Sequence, residues 1–407
     1  MRILLFTTEP VPIGFASTNR ILSYFYGLTK NGSFVEVFSI SPYSRKSWNG
    51  SNDIAKGCGE LKIRCFPMST YLITKVSVRI HRVLLQFVVP ATLFFTLTRQ
   101  KYDCMLFYGQ NDYYEKYLVW LCKRRGIITL KEESEHPYLM LSRRFKSLNN
   151  VDKARLVKSK YGRYDVILVM TKYIYDFMVS LGFRSDTLLH VPQTVQLSRF
   201  AISAPEDSTT LGKKYILFTG CFSNEKDGVL NLIDSYKAIY NAHQDIQLVL
   251  AGFGTKQQIK DLKSRIHNLG LQQHVQIHMN LPNACIPSLI AGAIILVSAR
   301  PFSLQAQYGF PTKVAEYLAS GKPVVTSAHG DLSDLLIDGE NAFILENCAP
   351  DTISRVVKRV LADYDHASMV GEQGRALARS MFDPRQNTKV IIDYCRDKYT
   401  HDTSAEY

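Results

Sequence analysis

Two charged side chains, Lys313 and Glu316, stand three residues apart in a short predicted helix. Pro311 or Thr312 can open this helix, and Gly321 can end it. At about 100° per residue, the apolar side chains fall on one side of the helix and the two charged side chains on the other. The N-terminus of such a helix, with a lysine beside it, can hold an anion.

A short apolar run, Ala293 to Ser298, precedes this helix and predicts a buried parallel strand. In an open α/β sheet, ligands bind outside the carboxyl ends of the strands. The sequence therefore predicts that Lys313 and Glu316 border a ligand crevice. The alternative is the solvated outer face of a surface helix.

The run Phe-Pro-Thr-Lys, from Phe310 to Lys313, continues with Glu316-Tyr317-Leu318 and with Gly-Lys-Pro-Val-Val up to Val325. It resembles a recurrent variant of the signature of the bacterial group-one glycosyltransferases, the retaining family four. The resemblance implies the GT-B fold, in which two Rossmann-like doubly wound domains face each other across a cleft. It also implies that the second domain binds a nucleotide-sugar donor and that Glu316 accepts hydrogen bonds from the ribose of this donor. Phe310, Thr312 and Lys313 would belong to the same donor-binding site.

The commoner form of this signature has two glutamates eight positions apart, and the position eight before Glu316 is Tyr308. The contact of that first glutamate with the donor sugar therefore does not carry over to this chain.

The loop from Gly220 to Gly228 follows a predicted strand and can aim backbone donors and Lys226 at a diphosphate. Lys226 fits the family's lysine in this loop, whereas Cys221 stands where arginine is usual. Arg300 follows another predicted strand and can supply that missing charge, or it can belong to a plain turn.

Gly252 follows a third predicted strand, where it lets the backbone approach a ligand or makes an ordinary strand-to-helix turn. We take Lys226 and Arg300 as the catalytic residues of this half, because they would stabilise the leaving diphosphate.

The first half of the chain contains candidate residues for binding the acceptor, the molecule that would receive the sugar. Gly14 and Arg20 lie in and after the first strand-to-helix loop, where the family has a glycine-bearing loop. Glu135 and His136 belong to an acidic cluster that follows a strand predicted to end at Leu130. Either could orient an acceptor hydroxyl as a catalytic group. The alternative is a charged surface loop.

Strand, loop and helix alternate along the chain in two series, separated by a polar, proline-bearing stretch near 203–212. A chain of 407 residues exceeds what one core usually organises. We predict an acceptor-binding domain over residues 1–200, completed by a C-terminal helix within 384–407, and a nucleotide-sugar-binding domain over 201–383. The segment Val191 to Phe200 resembles the family's interdomain junction.

The net charge of +13 favours anionic partners, and no common nucleic-acid-binding motif occurs. The eight cysteines are widely spread and form neither a Cys-x-x-Cys pair nor a zinc spacing, which is typical of reduced thiols. The first residues predict a strand and not a signal peptide. We therefore expect a cytoplasmic protein.

An apolar run, Val83 to Leu97, is flanked by basic residues, contains Pro90 and is too short to span a bilayer. It either lies on an anionic membrane or forms a buried helix. A basic stretch from Arg143 to Arg163 is either a solvated helix or a second contact with that membrane.

The sequence thus predicts a metal-independent glycosyltransferase that needs no cofactor, on the inner face of the cell membrane if it is peripheral. It would move a sugar from a nucleotide-diphosphate sugar to a glycan or lipid-diphosphate-linked acceptor, with retention, in bacterial surface polysaccharide synthesis. The alternatives are a sugar-nucleotide epimerase of the same fold and a non-catalytic scaffold.

Overall fold

The computed structural model describes residues 1–11, 14, 16–40, 62–65, 77–109, 112–142, 145–200 and 214–403, with the backbone alone at 62–65, 77–87, 112–113 and 399–403. The chain divides into two compact units. Unit 1 is Met1–Thr194 with Pro384–Tyr407, and unit 2 is Val195–Asp383. The contacts thus place the boundary six residues before the position predicted from the sequence.

Unit 1 is built on a parallel sheet of seven described strands, in the order β3-β2-β1-β4-β5-β6-β7. The strands are β1 (Arg2–Thr7), β2 (Phe34–Ser39), β3 (Lys62–Cys65), β4 (Cys104–Tyr108), β5 (Ile128–Glu133), β6 (Val166–Val169) and β7 (Leu188–His190). The described α-helices are α1 (Ala16–Lys30), α2 (Ser77–Arg99), α3 (Asp112–Lys123), α4 (Asn150–Tyr161), α5 (Lys172–Ser180) and, from the C-terminal end, α15 (Pro384–Thr403).

Both faces of this sheet are covered, because neighbouring side chains of a strand point to opposite faces. Ile3 and Leu5 of β1 join one hydrophobic cluster with residues of α1 and α15. Leu4 and Phe6 join a second cluster with residues of α2 and α3. The strands therefore read as continuous apolar runs, as buried parallel strands do.

Unit 2 repeats the plan with six described strands in the order β10-β9-β8-β11-β12-β13. These are β8 (Lys214–Cys221), β9 (Ile246–Phe253), β10 (Val275–Met279), β11 (Ile295–Ser298), β12 (Val324–Thr326) and β13 (Phe343–Ile344). Its helices are α6 (Asn224–Asp227), α7 (Val229–Ala242), α8 (Lys256–Asn268), α9 (Ile286–Gly292), α10 (Leu304–Tyr308), α11 (Thr312–Ser320), α12 (Asp331–Leu335), α13 (Pro350–Ala362) and α14 (Tyr364–Met381).

The strand order reverses once in each sheet, between β1 and β4 in unit 1 and between β8 and β11 in unit 2. Helices leave in opposite directions from such a point, which opens a crevice at the carboxyl ends of the two strands. Each unit therefore has one topologically defined place for a ligand.

The last helix, α15, returns the chain to unit 1 and lies against α1. A Cβ at Gly27 of α1 would meet the backbone of Pro384 and, at 2.6 Å, Oγ1 of Thr388. The Asn31 side-chain amide also donates to the Arg385 carbonyl at 2.7 Å. The absence of a side chain at Gly27 is what allows the two helices to approach so closely.

The predicted βα order is confirmed in both units, with strand ends shifted by a few residues. One predicted strand end is wrong, because β5 does not end at Leu130 but runs to Glu133. Lys131, Glu132 and Glu133 continue β5 and are buried, because they pair with other side chains: Lys131 Nζ lies 2.9 Å from Glu115 Oε1, and Tyr161 donates to Glu133. Burial raises the pKa of Glu133 to about 7.

Several predicted features lie outside the described residues: the stretch 203–212, Arg143 and Arg144, and the side chains at 83–87. The rest of the apolar run belongs to α2, whose Val89, Leu93 and Leu97 are buried. Among the described residues, no helix is long and apolar enough to cross a membrane.

Candidate functional site

The crevice of unit 2 lies where the strand order reverses, at the carboxyl ends of β8 and β11. Gly220 is the next-to-last residue of β8, and Arg300 follows β11 by two residues. Lys226 lies on α6, directly after β8, and Lys313 lies in the first turn of α11. The topology thus brings together the residues that the sequence analysis singled out.

Lys313 is held by an ion pair with Asp227. Its Nζ lies 2.8 Å from Asp227 Oδ1, and the side chains are only 13% and 5% exposed. The same ammonium lies 4.5 Å from the centroid of the Phe218 ring. Asp227 Oδ2 accepts a hydrogen bond from Cys221 N at 3.1 Å. Asp227 therefore connects α11 to the loop after β8.

The side of α11 that carries Lys313 and Glu316 is not the solvated outer face of a surface helix, which was the alternative left open by the sequence. Glu316 is only 8% exposed, and every residue from Val314 to Ala319 is buried. The reason is that α11 packs against α14 as well as against the sheet.

The charges of Arg300 and Lys226 affect the ammonium of Lys313. Burial lowers the pKa of Lys313, and Asp227 opposes that effect. The positive charges of Arg300 and Lys226 also lower the pKa of Lys313. Arg300 and Lys226 thus add positive charge near the pair of Lys313 and Asp227, which suits an anionic ligand.

Two glycines let these loops come together. Gly228 ends α6 with φ of 64°, and a Cβ there would land on the carbonyl of Ala299, next to Arg300. Gly220 has φ of 143°, and its Cβ would crowd Lys313 Nζ and lie 3.2 Å from Asp227 Oδ2. A side chain at either position would separate the basic groups.

Arg300 is 7% exposed, and its backbone is fixed by the loop after β12. Its carbonyl accepts from Ser327 Oγ at 2.7 Å and contacts His329 Nε2 at 3.2 Å. Lys226, in contrast, is exposed. The site therefore combines a buried guanidinium with an ammonium that is free to reorient in solvent.

The other predicted donor residues have different surroundings. Gly252 pairs in register with Gly220 across β8 and β9, and its Cβ would collide with the Gly220 carbonyl. Phe310 is 8% exposed and packs edge-on against Phe382, with ring centroids 5.3 Å apart. Thr312 is the first residue of α11 and is partly exposed.

Sequence reasoning missed three residues of this site: Asp227, Tyr317 and His329. Tyr317 Oη lies 2.6 Å from Thr219 N and 2.9 Å from Thr219 Oγ1, which ties α11 to the end of β8. A signal existed for His329, because it follows a predicted strand as Arg300 does. The partners of Asp227 and Tyr317 lie elsewhere in the sequence, and no local pattern identifies them.

In unit 1, Arg20 is directed into the protein. Its Nε lies 2.8 Å from Glu132 Oε1. Its other N–H groups have acceptors on Tyr24 Oη (2.6 Å), Gln193 Oε1 (3.2 Å) and the carbonyls of Val191 (3.0 Å) and Pro192 (3.1 Å). All five donors of the guanidinium are thus occupied. Arg20 instead connects α1 to β5 and to the segment after β7. The structure therefore gives no support to the predicted contact of Arg20 with the acceptor.

Glu135 and His136 directly follow β5. Glu135 is partly exposed, and its N–H donates to Glu133 Oε1 at 3.3 Å. His136 is 3% exposed and contacts the rings of Phe177 (4.3 Å) and Tyr138 (5.2 Å). Its Nδ1 accepts from Tyr138 N at 3.1 Å, so the neutral ring carries its proton on Nε2.

Burial lowers the pKa of His136 to about 4, which keeps the ring neutral at pH 7. From Nε2 such a ring can donate a hydrogen bond but cannot accept one.

Gly14 lies close to the chain before it. A Cβ at Gly14 would lie 2.9 Å from the Pro10 carbonyl, which already accepts from Thr18 Oγ1 at 2.7 Å. A Cβ at Gly14 would also collide with Thr18 Oγ1, so glycine at this position leaves room for the hydrogen bond from Thr18 to Pro10.

The sequence of unit 2 matches a known family. Residues 203–377 match the model of the family described as glycosyl transferases group 1. "Spore coat protein SA" of Bacillus subtilis (strain 168) is 27% identical over 177 residues, which are 42% of this chain and 45% of that protein.

The "GDP-mannose-dependent alpha-(1-6)-phosphatidylinositol monomannoside mannosyltransferase" of Mycolicibacterium smegmatis is 25% identical over 220 residues, or 52% of this chain and 56% of that protein. The chain spans about half the length of these curated relatives.

The fold extends over the whole chain. Anabaena HepE, solved in complex with UDP-glucose, is similar with a TM-score of 0.71 at 15% identity, covering 97% of this chain and 99% of HepE. At that identity the likeness concerns the fold alone. The two doubly wound units form the GT-B fold that the sequence resemblance implies.

Proposed function

We propose that this chain is a glycosyltransferase that moves a sugar from a nucleotide-diphosphate sugar to a hydroxyl group of an acceptor. The observation that carries the proposal is the position of Lys226 after β8, of Arg300 after β11 and of Lys313 in the first turn of α11, at the crevice where the strand order reverses. The same segment matches the group 1 family. A surplus of positive charge at such a crevice suits a diphosphate.

The donor diphosphate becomes a leaving group when the sugar is transferred, and negative charge develops on it. Lys226 and the Arg300 guanidinium would stabilise that charge together with backbone N–H groups near Gly220. Lys313 would mainly hold α6 and α11 together at the site, because its ammonium is already paired with Asp227. Glu316, three residues further along α11, would accept hydrogen bonds from the ribose.

Unit 1 would bind the acceptor, a glycan or a lipid-linked glycan of bacterial surface polysaccharide. Glu135 is its partly exposed carboxylate after β5, and it would accept the hydrogen of an acceptor hydroxyl. His136 would orient the acceptor by donating from Nε2 rather than act as a base. Transfer with retention of configuration is the expectation from the sequence resemblance.

The reaction would need no metal ion, because Lys226 and Arg300 would stabilise the diphosphate as a metal does in other transferases. A purified sample treated with EDTA should keep its rate. A rate that falls with EDTA and returns with Mg²⁺ or Mn²⁺ would contradict this part of the proposal.

The test is the release of nucleoside diphosphate from UDP- and GDP-sugars in the presence of bacterial membranes or glycan acceptors. Lys226→Ala and Arg300→Ala should each lower the rate about 10²- to 10³-fold, as does loss of one stabilising donor elsewhere. Lys263→Ala, which removes an exposed lysine from α8, is the matched control and should leave the rate unchanged. Equal rates in all three variants would contradict the assignment of Lys226 and Arg300 as catalytic residues.

A non-catalytic scaffold is the second candidate. It is favoured by Tyr308 and Cys221, which stand where the family usually has glutamate and arginine, and by the name of the spore coat relative. A scaffold would release no nucleoside diphosphate with any donor or acceptor, even if it bound one.

A further inference from the structure

Unit 1 exposes three large aromatic side chains on neighbouring helices: Phe94 (38% exposed) and Phe95 (56%) on α2, and Trp120 (49%) on α3. We call them the aromatic patch. The opposite side of α2 already supplies Val89, Leu93 and Leu97 to the hydrophobic core. The aromatic patch is therefore extra apolar surface that the packing of the unit does not use.

Arginine side chains lie over each ring of the aromatic patch. The guanidinium carbon of Arg124 is 4.6 Å from the centroid of Trp120, Arg99 is 5.9 Å from Phe95, and Arg125 is 5.9 Å from Phe94. Arg125 also donates to the carbonyl of Leu97 at 3.4 Å. This bond connects the end of α3 to α2, so the aromatic patch and its arginines form one surface.

The exposed charge around the aromatic patch has one sign, while Asp103 is only partly exposed and accepts from Arg2 N at 2.7 Å. Among the described side chains from 88 to 126, the exposed charged residues are all basic: Arg99, Lys101, Lys116, Lys123, Arg124 and Arg125. Glu115 in the same segment is buried and paired with Lys131. A partner of this surface must therefore present apolar material in the centre and negative charge around it.

We propose that the aromatic patch with its basic rim docks the protein on the surface of an anionic lipid bilayer. Tryptophan and phenylalanine insert at the level of the headgroups, where a ring contacts acyl chains and arginine reaches the phosphates. A protein partner is less favoured, since the rim contains three lysines, a residue depleted at protein interfaces. The inference is independent of the proposed sugar transfer, because it concerns another surface and is tested without a donor.

The experiment uses the full chain with Trp48→Phe, which leaves Trp120 as the sole tryptophan. The protein is mixed with vesicles of phosphatidylcholine alone or with about one-third phosphatidylglycerol. Trp120 emission should shift to the blue and be quenched by brominated acyl chains, but only with anionic vesicles. Since surface charge attraction is screened by salt, binding should weaken as the salt concentration rises.

Two patch variants identify the residues by vesicle co-sedimentation. Arg99→Glu/Arg124→Glu should weaken binding by at least about fivefold per arginine. Phe95→Ser/Trp120→Ser should abolish the bound fraction. Met369→Ser and Lys263→Glu, which change an exposed apolar and an exposed basic residue of unit 2, are the controls and should bind like the parent.

Three results would overturn the proposal. The protein could bind neutral and anionic vesicles equally, or the patch variants could bind as the parent does. The third result is a change from dimer to monomer in the patch variants without any change in vesicle binding, which would assign the surface to a second copy. All these side chains are exposed, so unchanged melting temperatures should show that the variants fold.

Discussion

The ion pair of Lys313 and Asp227 determines the shape of the candidate donor site. Asp227 pairs with the ammonium at 2.8 Å and also accepts from Cys221 N, so it connects α6, which carries Lys226, to α11 and to the end of β8. A buried pair of this kind contributes geometry more than net stability. Its removal should therefore affect the site and the fold together.

Asp227→Asn leaves the Lys313 ammonium buried without its counter-charge, which should lower the free energy of unfolding by about 3 kcal/mol. Denaturant unfolding of the variant measures this. The double variant Asp227→Asn/Lys313→Met should regain part of the loss, because the unpaired charge is gone. Strictly additive effects in this double-mutant cycle would mean that the two side chains do not interact.

His136 gives the stability of the protein a dependence on pH. Its pKa of about 4 in the folded protein is below the ordinary value of 6.5, so the unfolded chain binds more protons between these values. The stabilising contribution is complete above pH 6.5 and is lost as the pH falls towards 4. His136→Phe keeps a ring against Phe177 and removes this titration.

The measurement for His136 is the difference in unfolding free energy between the protein and the variant from pH 4 to pH 8. The difference should be constant above pH 6.5 and change steadily below it. A difference that is flat over the whole range would contradict the assigned burial of the imidazole.

At the scale of elements, the periodicity of apolar residues was sufficient to predict most of what positions the site. The strands that end near Thr219, Ala251 and Ser298 and the helix after Pro311 are all present, within a few residues. Glycine at 321, with φ of 77°, ends α11 as its type suggests.

The burial of charged residues could not be predicted in the same way. Lys131 to Glu133 have the composition of a surface loop, yet they lie inside β5 because Glu115, Tyr161 and Arg20 supply their partners. Those partners are between 16 and 112 residues away. Asp227 was missed for a similar reason, since its importance depends on Lys313.

The contact of α1 with α15 can be tested at Gly27. Alanine is the better helix former by about 1 kcal/mol, so Gly27→Ala would stabilise an isolated helix. Here its Cβ would collide with the backbone of Pro384, and overpacking of this kind costs about 1 to 3 kcal/mol. We expect net destabilisation and weaker protection of α15 from amide hydrogen exchange.

Lys30→Ala, at the exposed end of the same helix, is the control for Gly27→Ala and should change the unfolding free energy by less than about 0.5 kcal/mol. If Gly27→Ala were as stable as the parent and α15 equally protected, the close approach of the two helices would be wrong.

At the scale of the whole molecule, each unit has its own hydrophobic core and its own strand-order reversal. The family match lies within residues 203–377 and so belongs to unit 2. The proposed sugar transfer is therefore supported by unit 2. The proposed binding of the acceptor concerns unit 1, which lies outside the family match. The aromatic patch also belongs to unit 1, so the proposed docking on a bilayer and the proposed binding of the acceptor concern the same unit.

Unit 2 is proposed to bind a nucleotide-diphosphate sugar at the carboxyl ends of β8 and β11. The most direct test is a thermal-shift screen of the full chain with UDP- and GDP-sugars. One of them, at about a hundredfold excess over its Kd, should raise the melting temperature by about 5 °C or more. Glu316→Ala and Lys226→Ala should reduce this shift, and Lys263→Ala should retain it. A chain that no nucleotide sugar stabilises, or one stabilised equally in all three variants, would contradict the account.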